Sequence, residues 1–217
     1  MTAERDMVLV WDPLVRIGHW LLAAAFAVAY LTEGEPLQLH VWAGYTIGGI
    51  VLLRILWGFV GPRPARFADF LRGPGAALRY LRALLRFRSD RYLGHSPAGG
   101  AMALALLLSL AVTVGAGLLA YGEKEGAGPL AFLFPAAGAP SPDAAEPLFP
   151  SLEDAPAAAS TAPAPRREDS AIAGVHEAFA NITLALVILH IAGVVLASLA
   201  HRENLVRAMV TGRKRAP

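Results

Sequence analysis

The chain has 217 residues, of which 55% are hydrophobic and 17% charged, with a mean hydropathy of +0.48. That balance excludes an ordinary soluble domain and marks an integral membrane protein. With no cysteine, disulfides, iron–sulfur clusters, thiolate metal sites and C-x-x-C-H haem attachment are excluded, and a net charge of only +2 leaves the information in where the charges sit.

Met1 to Trp11 is a short polar lead with charges of both signs. Leu14 to Leu31 is the first apolar run, interrupted by Arg16 and His19. Ala27-Val28-Ala29 resembles a processing site, but the lead is not distinctly basic, so the run reads as a retained span. Thr32 to Gln38 is an acidic turn with Glu33, Glu35 and Pro36. Leu39 to Val60 is the second span, opening on His40 and carrying Arg54 near its end.

Gly61 to Pro97 has a different character, with Arg63, Arg66, Arg72, Arg79, Arg82, Arg86, Arg88 and Arg91 set against Asp69 and Asp90. Within it, Ala76 to Phe87 places Leu78, Leu81, Leu84 and Leu85 at helical spacing and Arg79, Arg82 and Arg86 on another face. This predicts an amphipathic helix in the membrane interface, its arginines on lipid headgroups rather than nucleic acid. Gly99 to Tyr121 is a third span free of charge and histidine, with Gly115 and Gly117 as packing residues. Residues 122–170 form a long Ala/Pro-rich connection of acidic balance, expected to lack regular structure. Its apolar islands, Leu130 to Pro135 and Pro147 to Pro150, read as loop anchors.

Ala171 to Ala200 is the fourth span, with Glu177 its only charge and with His176 and His190 fourteen residues apart. Fourteen residues are almost four turns, so both imidazoles share a face about 21 Å apart along the axis. A basic tail follows, with Arg202, Arg207, Arg213, Lys214 and Arg215. The fold class is all-α: one domain, an integral membrane four-helix bundle with spans of about 14–31, 39–60, 99–121 and 171–200. The positive-inside rule puts both termini and the Arg-rich segment in the cytoplasm and residues 122–170 in the periplasm.

Depth then sorts the histidines. His19 and His190 lie toward the inner side, His40 and His176 toward the outer. Two imidazoles facing each other at each of two depths suit two six-coordinate, noncovalent haems b, with iron taking one axial nitrogen from each side. The macrocycle needs room near the backbone, and Gly44 and Gly193 lie one turn from His40 and His190. Helix packing through Gly44-x-x-x-Gly48 explains those glycines equally well. Arg54, fourteen residues after His40, reaches the inner depth, where a buried cation needs an anion. With Glu177 near the outer side and Asp69 beyond the span, a haem propionate is the expected partner. Arg16 either serves the same haem or snorkels to phosphate. His95 and His201 fall at the cytoplasmic surface as solvated histidines or proton carriers.

Arg16-Ile17-Gly18-His19-Trp20, His40-Val41-Trp42-Ala43-Gly44-Tyr45, Arg54-Ile55-Leu56-Trp57-Gly58-Phe59-Val60-Gly61, Gly94-His95-Ser96-Pro97, Val175-His176-Glu177 and His190 occur in that order. In these stretches the chain resembles bacterial cytochrome b561 and the related cytochrome b subunits of nickel–iron hydrogenases. The resemblance implies a four-helix bundle with two haems b, ligated by His19, His40, His176 and His190, and electron exchange with the quinone pool of the inner membrane. Compact members have a short connection where this chain has residues 122–170. The closing Ala208-Met209-Val210-Thr211-Gly212-Arg213-Lys214 resembles members that pair with a c-type cytochrome. The expected function is electron transfer between a periplasmic redox partner, c-type cytochrome or hydrogenase-like, and quinone. Lipid is a further contact, a homodimer is compatible with this reading, and nucleic acid is excluded. The alternatives are a superoxide:quinone oxidoreductase on the same fold and a small proton or metal transporter using the histidines.

Overall fold

The computed structural model describes residues 7–33, 35–134 and 170–216. Helix α1, Pro13–Thr32, starts where Asp12 accepts the Val15 N–H at 3.1 Å and proline takes the first helical position. It stops at Glu33, whose backbone turns left-handed with φ 39°. A tight turn leads into α2, Leu37–Val60, which ends at Gly61. A single 3-10 turn, Arg63–Ala65, and the short α3, Phe67–Phe70, precede α4, Pro74–Leu85. Ser96 caps α5, Pro97–Glu125, by accepting the Gly99 N–H. Ser170 does the same for α6, Ala171–His201, through the Ile172 N–H. The last helix is α7, Leu205–Thr211.

Helices α1, α2, α5 and α6 are each long and apolar enough to cross a membrane, and together they make an all-α integral membrane bundle. Helix α5 continues to Glu125 instead of ending at Tyr121, because Gly126 supplies the left-handed stop with φ 61° and its N–H closes on the Gly122 carbonyl. Of the connection that follows, Leu130 lies just before a 3-10 turn, Ala131–Leu133, on which Phe132 is exposed. The second apolar island, at 147–150, lies outside the described residues.

Two hairpins build the bundle. α1 packs on α2, α5 packs on α6, and α2 meets α5 to join them. The core between them is Ala25, Phe26, Ala29, Ala43, Ile47, Val51 and Leu110. α6 leans on α5 and stands off from α1 and α2, and the gap is crossed by side chains such as Tyr30, whose hydroxyl donates to Asn181 Oδ1 at 2.9 Å. The fully buried residue of α6 is Thr183. Its hydroxyl meets Ser109 Oγ at 2.7 Å and donates to the Phe179 carbonyl at 2.7 Å. A hydroxyl at this depth needs such partners, since lipid offers none.

The antiparallel helices give the bundle two ends. The loop end carries the end of α1, the start of α2 and the start of α6. The terminal end carries the start of α1, the end of α6, and the small elements. There β1, Met7–Leu9, pairs antiparallel with β2, Arg213–Arg215, in the register Met7–Arg215, Val8–Lys214 and Leu9–Arg213. Three-residue strands are too short to show a period, so the sequence carries no sign of them. Beneath the ribbon, Arg91 Nη2 meets Glu203 Oε1 at 3.0 Å, and Lys214 Nζ lies 3.9 Å from Oε2 and donates to the Tyr92 carbonyl at 2.9 Å. Burial works to raise the Glu203 carboxyl, yet hydrogen bonds from Arg91 and the Arg215 N–H and the charge of Lys214 outweigh it and hold it below its ordinary value.

The amphipathic helix is α4, starting two residues before Ala76 because Pro74 is favoured in a first turn. It buries Tyr80 and Leu84 against the bundle and leaves Leu78, Leu81 and Leu85 exposed.

Candidate functional site

At the loop end, the turn after α1 brings His40 back over the helix it has just left. The last four carbonyls of a helix have no intrahelical partner, and Ala29 carries one of them. It accepts the Thr32 hydroxyl at 3.2 Å and pairs with His40 Nδ1 at 2.9 Å. On α6, His176 Nδ1 pairs with the Thr113 carbonyl of α5 at 2.8 Å. A carbonyl only accepts, so both rings carry their proton on Nδ1 and leave the Nε2 lone pair free. The two rings face each other with centres 5.9 Å apart and planes at 75°.

His176 reaches Thr113 because α5 has no side chain one turn further on. A Cβ at Gly117 would lie 2.9 Å from both Cε1 and Nδ1 of the imidazole. The sequence reading assigned Gly117 to helix packing and missed this contact. A glycine on a helix carries no sign of which partner it admits, and only the facing helix reveals it.

At the terminal end, His19 of α1 faces His190 of α6 with ring centres 6.3 Å apart and planes at 55°. Here the surroundings differ. Among the described residues, the buried side-chain polar atoms without a hydrogen-bond partner are Arg16 Nε, His19 Nδ1, Arg54 Nη1 and His95 Nδ1. All four belong to this end, and all belong to cationic or imidazole side chains.

Arg54 lies over the rings of Phe67 and Phe70 at 5.3 and 5.8 Å from their centroids. Gly58 makes room for Phe67, since a Cβ there would come 2.2 Å from its ring. The expectation that no carboxylate reaches this depth is corrected: Asp12, the cap of α1, acts electrostatically on Arg54 and accepts the Trp57 indole N–H at 3.4 Å. It forms no close ion pair with Arg54, and Nη1 stays unsatisfied. Arg16 does not run out to a headgroup. Its Nη1 donates to the Val210 carbonyl at 2.6 Å, closing the end of α7, while Nε is buried close to Gly212 without a hydrogen-bond partner.

His95 is not a solvated surface residue. It sits edge-on to Trp11 at 4.7 Å and against Phe70 at 4.2 Å between ring centroids. Burial, then the charges of Arg54, Lys214 and His190, push it down to about 3, so it is neutral at physiological pH. His201 is likewise tied down, its Nε2 lying 3.3 Å from the Tyr80 hydroxyl and 3.4 Å from Ser89 Oγ.

The glycines separate the readings that spacing left open. A Cβ at Gly48 would press on Val114 at 3.1 Å, so packing accounts for that residue. At Gly44, Gly49 and Gly193 a Cβ would meet nothing within 4 Å. Packing does not account for Gly44 or Gly193, which border open space one turn from a histidine.

These features fit an iron porphyrin. A metal–imidazole bond is about 2 Å long and the ring centre lies roughly 1.1 Å further back, so two imidazoles on opposite sides of one metal have centres about 6 Å apart. Both pairs meet that spacing, the protons of His40 and His176 are held by carbonyls, and Arg16 Nε and Arg54 Nη1 at the terminal end are buried without a hydrogen-bond partner. A family model described as prokaryotic cytochrome b561 matches residues 10–212. No curated protein and no solved structure matches the chain.

Proposed function

The chain belongs to the prokaryotic cytochrome b561 family, and we propose that it carries electrons across the membrane through two haems b, one between His40 and His176 and one between His19 and His190. Family membership and four apolar helices make it a bacterial membrane protein that binds b-type haem and transfers electrons. The observation that carries the finer reading is the spacing of the two facing pairs, 5.9 and 6.3 Å between ring centres. Among the described residues no group of three or more His, Cys, Asp or Glu side chains gathers to hold a bare metal ion. Two imidazoles alone leave an iron four ligands short, and a porphyrin supplies four.

Bound haem supplies reversible one-electron chemistry at its iron. The side chains break no bond. The carbonyls of Ala29 and Thr113 hold the Nδ1 protons of His40 and His176, orient the rings and raise the basicity of Nε2. Gly44 and Gly193 leave room beside the backbone. Arg54, with Arg16, would balance propionates at the terminal end, where Asp12 offsets the Arg54 charge only at a distance. The apolar helices exclude water, so charge near each site acts through a low dielectric.

The basic residues at the terminal end and the acidic balance of residues 122–170 support a cytoplasmic terminal end and a periplasmic 122–170 under the positive-inside rule. Quinone within the membrane and a periplasmic redox protein, a c-type cytochrome or a hydrogenase-like subunit, are then the exchange partners. Pyridine haemochrome analysis against protein mass tests the central claim. Two low-spin haems b per chain are expected. A ratio of one means that a pair is misassigned, and a colourless protein defeats the reading.

A further inference from the structure

Away from the histidines, at the terminal end, a cleft of about 320 Å³ opens between α4 and the segments on either side of it. Arg72, Arg79 and Arg88 line its walls with Asp90, and Tyr80 and Tyr92 line its floor. The two tyrosine rings meet edge to face at 5.7 Å, and Arg72 lies over Tyr92 at 5.5 Å. The floor is anchored: the Tyr80 hydroxyl meets His201 at the end of α6, and the Tyr92 carbonyl takes the Lys214 ammonium.

The walls are unspent. Arg72, Arg79 and Arg88 are exposed, and among the described residues none of them makes an ion pair. Three guanidiniums around one carboxylate leave two positive charges without a protein counterion. Guanidinium forks match phosphate oxygens in geometry as well as charge.

The same helix fixes the depth of the cleft. Leu78, Leu81 and Leu85 of α4 are 48%, 43% and 63% exposed among the described residues. An amphipathic helix with an uncovered leucine face lies where hydrocarbon meets headgroups. The arginine cleft therefore opens at headgroup level. We propose that it binds the phosphate of an anionic phospholipid, with Arg72, Arg79 and Arg88 as the donors. This site is independent of the haem assignments.

The test uses the full haem-loaded chain in detergent, with native mass spectrometry following retention of phosphatidylglycerol against phosphatidylcholine. The wild type should prefer phosphatidylglycerol. The triple variant R72Q/R79Q/R88Q should weaken that binding about a hundredfold, as the loss of three charge-assisted guanidinium–phosphate contacts within the cleft implies. R63Q/R82Q/R86Q removes the same charge from outside the cleft and should stay within a few-fold of wild type. An unchanged haem spectrum in both variants shows that they are folded. Equal weakening by the two triples would mean diffuse attraction and overturn the proposal, as would a wild type without lipid preference. Inorganic phosphate binding the delipidated protein at these arginines as tightly as the lipid does would make it a free-phosphate site and overturn the lipid assignment.

Discussion

The two histidine pairs sit in the same bundle, yet they are held by different means. At the loop end both imidazoles are clamped by backbone: His40 by the open carbonyl of Ala29, His176 by that of Thr113. At the terminal end His19 Nδ1 has no partner, and the unsatisfied atoms of Arg16, Arg54 and His95 crowd the same region. A site fixed by main chain is preorganised before any cofactor arrives. A site that leaves buried polar atoms unsatisfied is expected to be completed by what it binds, because each such atom costs about 1–3 kcal/mol. The loop-end site is thus expected to depend on helix geometry and the terminal-end site on charge.

Ligand substitution should have the largest effect. His40→Ala or His176→Ala is expected to remove one haem and leave the other, and His19→Ala or His190→Ala to do the reverse, each halving the haem per chain. Low-temperature absorption spectra of the four variants check this. If His19→Ala and His40→Ala bleach the same component, the pairing is wrong and the comparison collapses.

Gly117→Ala comes next, and it probes backbone clamping alone. The added methyl would lie 2.9 Å from the His176 ring, so the imidazole must leave the Thr113 carbonyl. Partial loss of the loop-end haem is expected, with an altered low-spin ferric EPR signal from what remains. Gly115→Ala, where a Cβ meets nothing within 4 Å, is the control. Equal behaviour of the two variants would remove any special role for Gly117.

Arg54→Leu probes charge at the other end. A buried cation favours the reduced haem, which carries one more electron, over the oxidised one, so if Arg54 balances a propionate its loss makes the terminal-end haem harder to reduce. A fall in its midpoint potential on the order of 50 mV is expected from one charge at this range, with the loop-end haem little changed. Redox titration reads both. An unmoved potential at full haem content would mean that Asp12 and the rings of Phe67 and Phe70 already satisfy Arg54.

The smallest effect belongs to the clasp over the terminal end. Glu203 is held below its ordinary value, so its contribution is present in full above about pH 4.5 and is lost as pH falls through the lowered folded value. Glu203→Gln should cost about 1 kcal/mol at neutral pH and flatten that acid dependence. Thermal melts of variant and wild type at pH 7 and pH 4 compare the two, and haem content should not change. Selective loss of the terminal-end haem would instead tie the clasp to the site.

The bundle was legible because its signals are periodic and local. Apolar runs mark the spans, and fourteen residues between His176 and His190 set two depths on one face whatever the partners do. The amphipathic pattern of Leu78, Leu81 and Leu84 exposed α4 in the same way. His95 was misjudged because a loop residue carries no period, and its burial comes from Trp11 and Phe70. Asp12 was overlooked beside Arg54 because forty-two positions separate them in the chain.

Sequence by itself determined the four apolar helices, the axial offset between His176 and His190 and the placing of the basic charge, since these follow from composition and from the rise of a helix. Tertiary structure alone decided which ring nitrogen is free, because the carbonyl that holds each proton comes from another helix. It decided that Gly117 admits an imidazole, that the charge of Asp12 acts on Arg54, and that residues 7–9 pair with 213–215. Each of these is a contact between distant segments, set by how helices pack, and a side chain's spacing along its own helix carries no record of what stands across from it.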